Sequence, residues 1–435
     1  MHTRSRGAAL GAVLVLGWLA AAVPARAQAT AADRAILLQQ RRLQRNPYDA
    51  GAYYKLGDAY VLKARESGDT GYFDRAEQAL RKSLELAPRN AGAIRHLAYV
   101  FSSRHDFKEA AIQAARAVEL DPADGDAHGV LGDALLELGK YDEAAGAYER
   151  MMRLKQDLAS WGRLSGIKNL RGDTAGAIAD LERAIEAGRA DGQPRESIAW
   201  AQWQPGAEHF AMGDLKAAET RHLEALRTYP GYYRAFAGLA QVRAAQKRYP
   251  EGIDLYQKAL GVIPSPEYAA ALGDLYAKLG RSGEARKQYE LVEYIGRLSA
   301  LNRVLYNREL VHFYADHEVR LTEALELAER EAEVRRDIYA HDALAWALYK
   351  NGRAAEAVAP MREALRLGTR DARLLFHAGM IFHARGDTEK AREYLRRALA
   401  TNPHFHILHA DVAARTLERL DASAGAPGPK RSDAR

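Results

Sequence analysis

The prolines at 88, 122, 230, 264 and 403 constrain this chain more than any other feature, because they share a register. Pro88 to Pro122 and Pro230 to Pro264 each span 34 residues. Small residues keep the same interval, with Ala76, Ala110 and Ala144 successively 34 apart. A fixed period of this length specifies stacked repeats, since one such unit is too short to bury its own apolar face. The 435 residues are therefore expected to form one elongated array rather than two or three separate domains.

Two amphipathic helices fit into one period. Residues 91–122 display it most clearly. Ile94, Leu97, Ala98 and Phe101 recur at helical spacing, the chain turns through Arg104, His105 and Asp106, and Ala110, Ala114 and Ala117 mark a second helix before Pro122. Ala at a helix crossing lets two helices approach to the near end of the usual range of roughly 8–10 Å. Proline then ends the second helix and resets the chain.

This pattern resembles the tetratricopeptide repeat, whose first helix carries an aromatic, Leu-Gly and Tyr, and whose second carries Ala, a large apolar residue, Ala and Pro. Tyr53, Leu56, Gly57, Tyr60, Ala76, Leu80 and Pro88 match the first unit, with an insertion around 66–73. Leu131, Gly132, Gly139, Ala144 and Tyr148 match the third, where Gln156 stands in place of the proline. Trp161, Leu164, Gly172, Ala177, Leu181 and Ala184 give the fourth. Gly206, Gly213, Ala218, Ala225 and Pro230 give a weak fifth, in which Pro205 replaces the family's Leu and counts against its first helix. Phe236, Leu239, Tyr256, Ala259 and Pro264 mark the sixth, and Leu272, Gly273, Tyr276, Gly280, Ala285 and Tyr289 the seventh. The eighth is degenerate, with Leu310, Tyr314, Ala324 and Ala328 around a stretched turn. Leu344, Leu348, Gly352, Ala357 and Ala364 form the ninth; Gly379, Phe382, Gly386, Ala391, Leu395, Ala398 and Pro403 form the tenth.

The resemblance implies an all-α helical solenoid, a right-handed superhelix of about nine to ten helix-turn-helix repeats over residues 47–403. The array divides into an N-terminal half (47–187), a middle part after an insertion rich in Gly, Asp and Gln (188–298), and a C-terminal half (299–403). Capping helices are expected at 28–46 and 404–421, followed by a disordered tail at 422–435.

The first 27 residues read as a secretory signal. Arg4 and Arg6 precede an apolar run from Ala8 to Ala22, and Ala25-Arg26-Ala27 offers a small-x-small cleavage site. An uncleaved membrane anchor is the alternative, although Gly7 to Val23 is slightly short of the ~20 residues of a comfortable span. The chain has no cysteine, which excludes disulfides, thiolate metal sites and cysteine catalysis. Its Ala- and Arg-rich composition fits a bacterial protein of the periplasm, or one that is secreted. The net charge of +6 is mostly an end effect, because the signal and the tail carry +5 of it. No nucleic-acid footprint is expected from such a balance.

Enzyme motifs are absent: the sequence has no phosphate loop, no dinucleotide glycine fingerprint and no His-Glu-x-x-His. His317-Glu318 lacks a second histidine, and Ser165 sits one place off the nucleophile-elbow pattern. Neither a catalytic site nor a cofactor is expected. His404, His406 and His409 are a weak candidate metal set, because only His406 and His409 share a helix face. The resemblance implies a stronger lead, a concave surface lined by the first helices. Its candidate partner-binding residues are Tyr54, Arg95, Tyr99, Trp203, Phe210, Trp346, Tyr349, Phe376, Met380 and His383. Aromatic anchors in a concavity bury large area at low entropic cost. The sequence thus predicts a non-catalytic scaffold or assembly factor of the bacterial cell envelope, binding protein or peptide segments and no nucleic acid. The alternative is a metal-linked accessory protein that uses the C-terminal histidines.

Overall fold

The computed structural model describes residues 30–67, 69–301 and 307–425, and among these it contains helices and no strand. The expected signal and most of the expected tail lie outside the described residues. Helix α1 (Ala31–Arg45) precedes ten pairs. The first four are α2 (Ala50–Ser67) with α3 (Gly71–Leu86), α4 (Ala91–Ser103) with α5 (Phe107–Leu120), α6 (Gly125–Glu137) with α7 (Tyr141–Leu154), and α8 (Leu158–Leu170) with α9 (Thr174–Ala190). The next three are α10 (Arg195–Ala211) with α11 (Leu215–Thr228), α12 (Tyr233–Ala245) with α13 (Tyr249–Val262), and α14 (Pro266–Lys278) with α15 (Ser282–Leu301). The last three are α16 (Asn307–Asp316) with α17 (Leu321–Val334), α18 (Ile338–Lys350) with α19 (Ala354–Leu365), and α20 (Ala372–Ala384) with α21 (Thr388–Thr401). Helix α22 (His409–Gly425) closes the array. Four residues assigned from sequence to a disordered tail, 422–425, thus belong to this last helix.

Local chemistry sets the helix ends. Asn90, Asp124, Asp157, Asp337 and Asp371 cap first helices, and Asp106, Asp173, Asp214 and Asp387 cap second helices, each accepting a backbone N–H of the first turn. Among the described residues, the turns inside pairs two to ten each carry at least one residue at positive φ. Gly139 supplies it in the third pair at 72°, where a Cβ would collide with the Arg336 carbonyl, while His105 does so in the second at 61°.

In five of the pairs the crossing sets a glycine of the first helix against a large residue of the second. Gly132 lies under Tyr148, Gly206 under His222, Gly273 under Tyr289 and Gly379 under Leu395, always sixteen residues apart. Gly57 lies under Leu80 at twenty-three, because the insertion lengthens that turn. Helix α10 is a correction to the sequence reading, since it runs unbroken through Pro205. A proline inside a helix costs one backbone hydrogen bond, but here the ring is buried against the neighbouring helices, whose packing holds the helix together.

First helices touch one another along the array, α2 with α4, α4 with α6, α10 with α12, and α14, α16, α18 and α20 in series. Among the described residues second helices have no comparable contacts, and the array curves with its first helices inside. The curve is tight enough for the coil to meet itself. Arg336 N–H donates to the Glu137 carbonyl at 2.8 Å, Ile338 N–H to the Tyr141 hydroxyl at 2.7 Å, and the Arg366 guanidinium to the Gly139 carbonyl at 2.6 Å. Further along, Gly172 packs on the Gly368 carbonyl and Asn402 Nδ2 donates to the Phe210 carbonyl at 2.8 Å. Turns of pairs three to five therefore rest on the joints before α18, α20 and α22.

Candidate functional site

The concave wall divides into an open part and a filled part. In the N-terminal repeats Tyr54, Arg95 and Tyr99 stand half-buried on α2 and α4. A polar ladder holds successive first helices there. Asp58 pairs with His96 at 3.0 Å, Arg95 with Asp126 at 2.9 Å and Asp124 at 3.3 Å, and Arg163 with Asp133 at 2.7 Å. Tyr54 packs edge-on against the His96 ring, 5.3 Å between centroids. Trp203 is also half-buried and carries the Arg234 guanidinium over its ring at 5.2 Å.

The C-terminal half differs from the sequence expectation. Trp346 and Phe376, expected to line an open groove, are each only 1% exposed. Segment 402–411 fills the hollow in front of them. Phe405 lies 5.5 Å from the Phe376 ring, and His409 stacks on Phe376 at 4.9 Å while meeting Trp346 edge-on at 5.9 Å. Tyr349 stacks on Trp346 at 5.0 Å, Met380 packs partly buried against the same core, and Phe210 gives its carbonyl to Asn402. His383 alone of this set is exposed, at the end of α20. The aromatic patch is thus the seat of the chain's own C-terminal segment, because large apolar rings facing a narrow hollow are most cheaply covered by tethered residues.

Beside this seat is a polar cluster. Asp316, ending α16, accepts from Trp346 Nε1 at 2.7 Å and from Arg373 at 2.8 Å. Burial favours its neutral form, but the Arg373 guanidinium and the nearby imidazoles outweigh it and hold the carboxyl near 2. His377 stacks on Trp346 at 4.0 Å and donates through Nδ1 to the Asp342 carboxylate at 2.9 Å. Burial pushes His312, His406 and His409 well below the ordinary imidazole value, so these rings are neutral at pH 7. His406 uses Nδ1 to accept the backbone N–H groups of Leu408 and His409 at the start of α22, and His404 is exposed. Of the three histidines read as a weak metal set, only His409 joins a group of ligand-capable atoms among the described residues.

A cleft of about 250 Å³ opens next to the cluster, lined by Phe210, Tyr268, Asp274, Arg373, Phe405 and His406 among others. Glu267 lines it too. Glu208, close to Asp371, is pushed up to about 7 by burial and then by that like charge. Of the two near-miss motifs, Ser165 is buried and His317 is engaged by Asp274 at 2.8 Å. Sequence reasoning missed Asp316, Asp342, Arg373 and His377, which are scattered over three helices of ordinary pattern. The one available signal was a polar residue at a core position, as with Asp342 and His377 inside apolar helices.

Sequence profiles of the tetratricopeptide repeat match residues 57–90, 97–159, 206–269 and 343–404, which is more than half of the chain. Tetratricopeptide repeat protein 37 of Xenopus laevis is 27% identical over 250 residues, covering 56% of this chain. The matched region spans only 15% of that relative's length. Among solved structures, yeast Tom70 is 13% identical with a TM-score of 0.40, covering 90% of this chain and 96% of its own. YrrB, described as a TPR protein with an unusual peptide-binding site, is 22% identical with a TM-score of 0.32, covering 46% of this chain and 98% of its own.

Proposed function

We propose, from the premise that this chain belongs to the tetratricopeptide-repeat family, that it is a non-catalytic scaffold or assembly factor of the bacterial cell envelope. Proteins of this family bind other proteins or peptides, and the finer reading follows from where this wall is free. The observation that carries it is the contrast along the concave face. The C-terminal half is occupied by residues 402–411, whereas Tyr54, Arg95 and Tyr99 remain reachable on α2 and α4. A partner segment would lie across those two helices, with the tyrosines as anchors and the Asp58, His96 and Arg95 groups supplying hydrogen bonds. The envelope location rests on the signal-like first 27 residues. Among the described residues no helix is long and apolar enough to cross a membrane.

The test begins with capture of partners from the envelope extract of the source bacterium, followed by titration of the identified partner. Tyr54→Ala and Tyr99→Ala should each weaken binding by about 2 kcal/mol with helix content unchanged. Trp346→Ala should instead cost about 3–5 kcal/mol of stability, as expected for a truncated core aromatic. If the tyrosine variants bind with full affinity, the partner surface is not this part of the wall.

A further inference from the structure

Three ligand-capable side chains from three helices converge where the C-terminal segment meets the concave wall. Asp316 ends α16, His377 lies within α20 and His409 opens α22, and one ligating atom from each lies within 4.8 Å of the others. His409 Nε2 is 3.7 Å from Asp316 Oδ1. The His377 side chain is wholly buried, and with Nδ1 bonded to Asp342 its Nε2 has no hydrogen-bond partner.

These features are what a metal site requires around its ligands. A carboxylate on the far nitrogen of a histidine fixes the tautomer, places the lone pair on the other nitrogen and raises its basicity. Asp342 does this for His377, and the Trp346 ring stacked on it fixes the imidazole plane. Asp316 is oriented by Trp346 Nε1 and Arg373, yet a carboxylate offers about four acceptor sites, so lone pairs remain for a cation. Two carboxylates against one guanidinium leave the group with net negative charge.

We propose that Asp316, His377 and His409 bind a divalent first-row transition metal of the zinc class, with one coordination position left for water. Two imidazoles and a carboxylate match the ligand preference of Zn²⁺, whose open sites hold three protein ligands. The ion would tie α22 to α16 and α20, and so lock the C-terminal segment into its seat. This inference does not depend on the partner-binding reading above.

Cobalt(II) is the direct probe, because in place of zinc it gives ligand-field absorption when four-coordinate. Titration of the full chain should give that absorption at one equivalent, and Zn²⁺ should both displace it and raise the melting temperature. His377→Phe and His409→Phe should each lower Co²⁺ affinity at least a hundredfold, and Asp342→Asn about tenfold or more. His404→Ala should leave affinity unchanged. Absence of the absorption, or its survival in His377→Phe, overturns the site. X-ray absorption on the zinc-loaded native chain needs no variant that must fold: two imidazoles per zinc are expected, and none or one overturns the assignment.

Discussion

His222 shows how one slot in the repeat sets both packing and acid sensitivity. It packs between Gly206 and Gly238, wholly buried, and neither ring nitrogen has a hydrogen-bond partner. Burial lowers its folded-state value from 6.5 to about 4. Above pH 6.5 the ring is neutral in both the folded and the unfolded chain and titration takes nothing from stability; as pH falls toward 4 the unfolded ring binds the proton first and stability drops, on the order of 3 kcal/mol in all. Leu80 and Leu395 fill the equivalent slot in the first and last pairs. His222→Leu should raise stability at pH 7 by about 1–2 kcal/mol, since it removes two unmet polar atoms. It should also flatten the decline between pH 6.5 and 4, which urea unfolding at a series of pH values would read. An unchanged pH slope would mean that His222 is hydrated or paired in solution. The slot itself was legible in the sequence, because Gly206 and His222 keep the sixteen-residue offset of Gly132 and Tyr148. That its occupant lacks partners was not, since nothing in a repeat pattern says which polar atoms the neighbouring repeat can satisfy.

At the level of the helix pair, the decisive device is the close crossing of a small and a large residue. In the third pair a Cβ on Gly132 would overlap the Tyr148 ring, whose hydroxyl donates to Asp133 at 2.9 Å and so cannot swing aside freely. Gly132→Trp should destabilise by about 1–3 kcal/mol, and more if the pair separates. Because each repeat packs chiefly on its neighbours, the loss should begin locally. Hydrogen exchange should show α6 and α7 losing protection first; uniform loss along the chain would contradict the repeat-by-repeat account. Helix existence was readable from period and spacing, including the degenerate eighth pair, where Leu310, Tyr314, Ala324 and Ala328 are all buried as expected. Pro205 misled, because propensity weighs the missing N–H of one residue and not the packing of a seventeen-residue helix around it.

For the whole molecule, the coil returns to meet itself and supplies its own groove filler. The contacts responsible join residues far apart in sequence: Gly139 with Arg366 across 227 positions, Ile338 with Tyr141 across 197, and Phe210 with Asn402 across 192. Curvature accumulates from small rotations between repeats, so neither the return nor the burial of Trp346 and Phe376 could be read from a local pattern. The family resemblance led to those two rings as part of an open concave surface; it could not reveal that residues 402–411 already lie in front of them. This closure underlies both the choice of the N-terminal wall for a partner and the meeting of Asp316, His377 and His409. The native chain contains no cysteine, so replacing Lys140 and Arg362, both exposed, by cysteine gives one pair of spin labels across the seam. Pulsed electron–electron distance measurement should give a single narrow, short distance between them, unchanged on adding partner. A broad distribution beyond roughly 50 Å, as for an open array advancing about 10 Å per repeat, would contradict the closed coil.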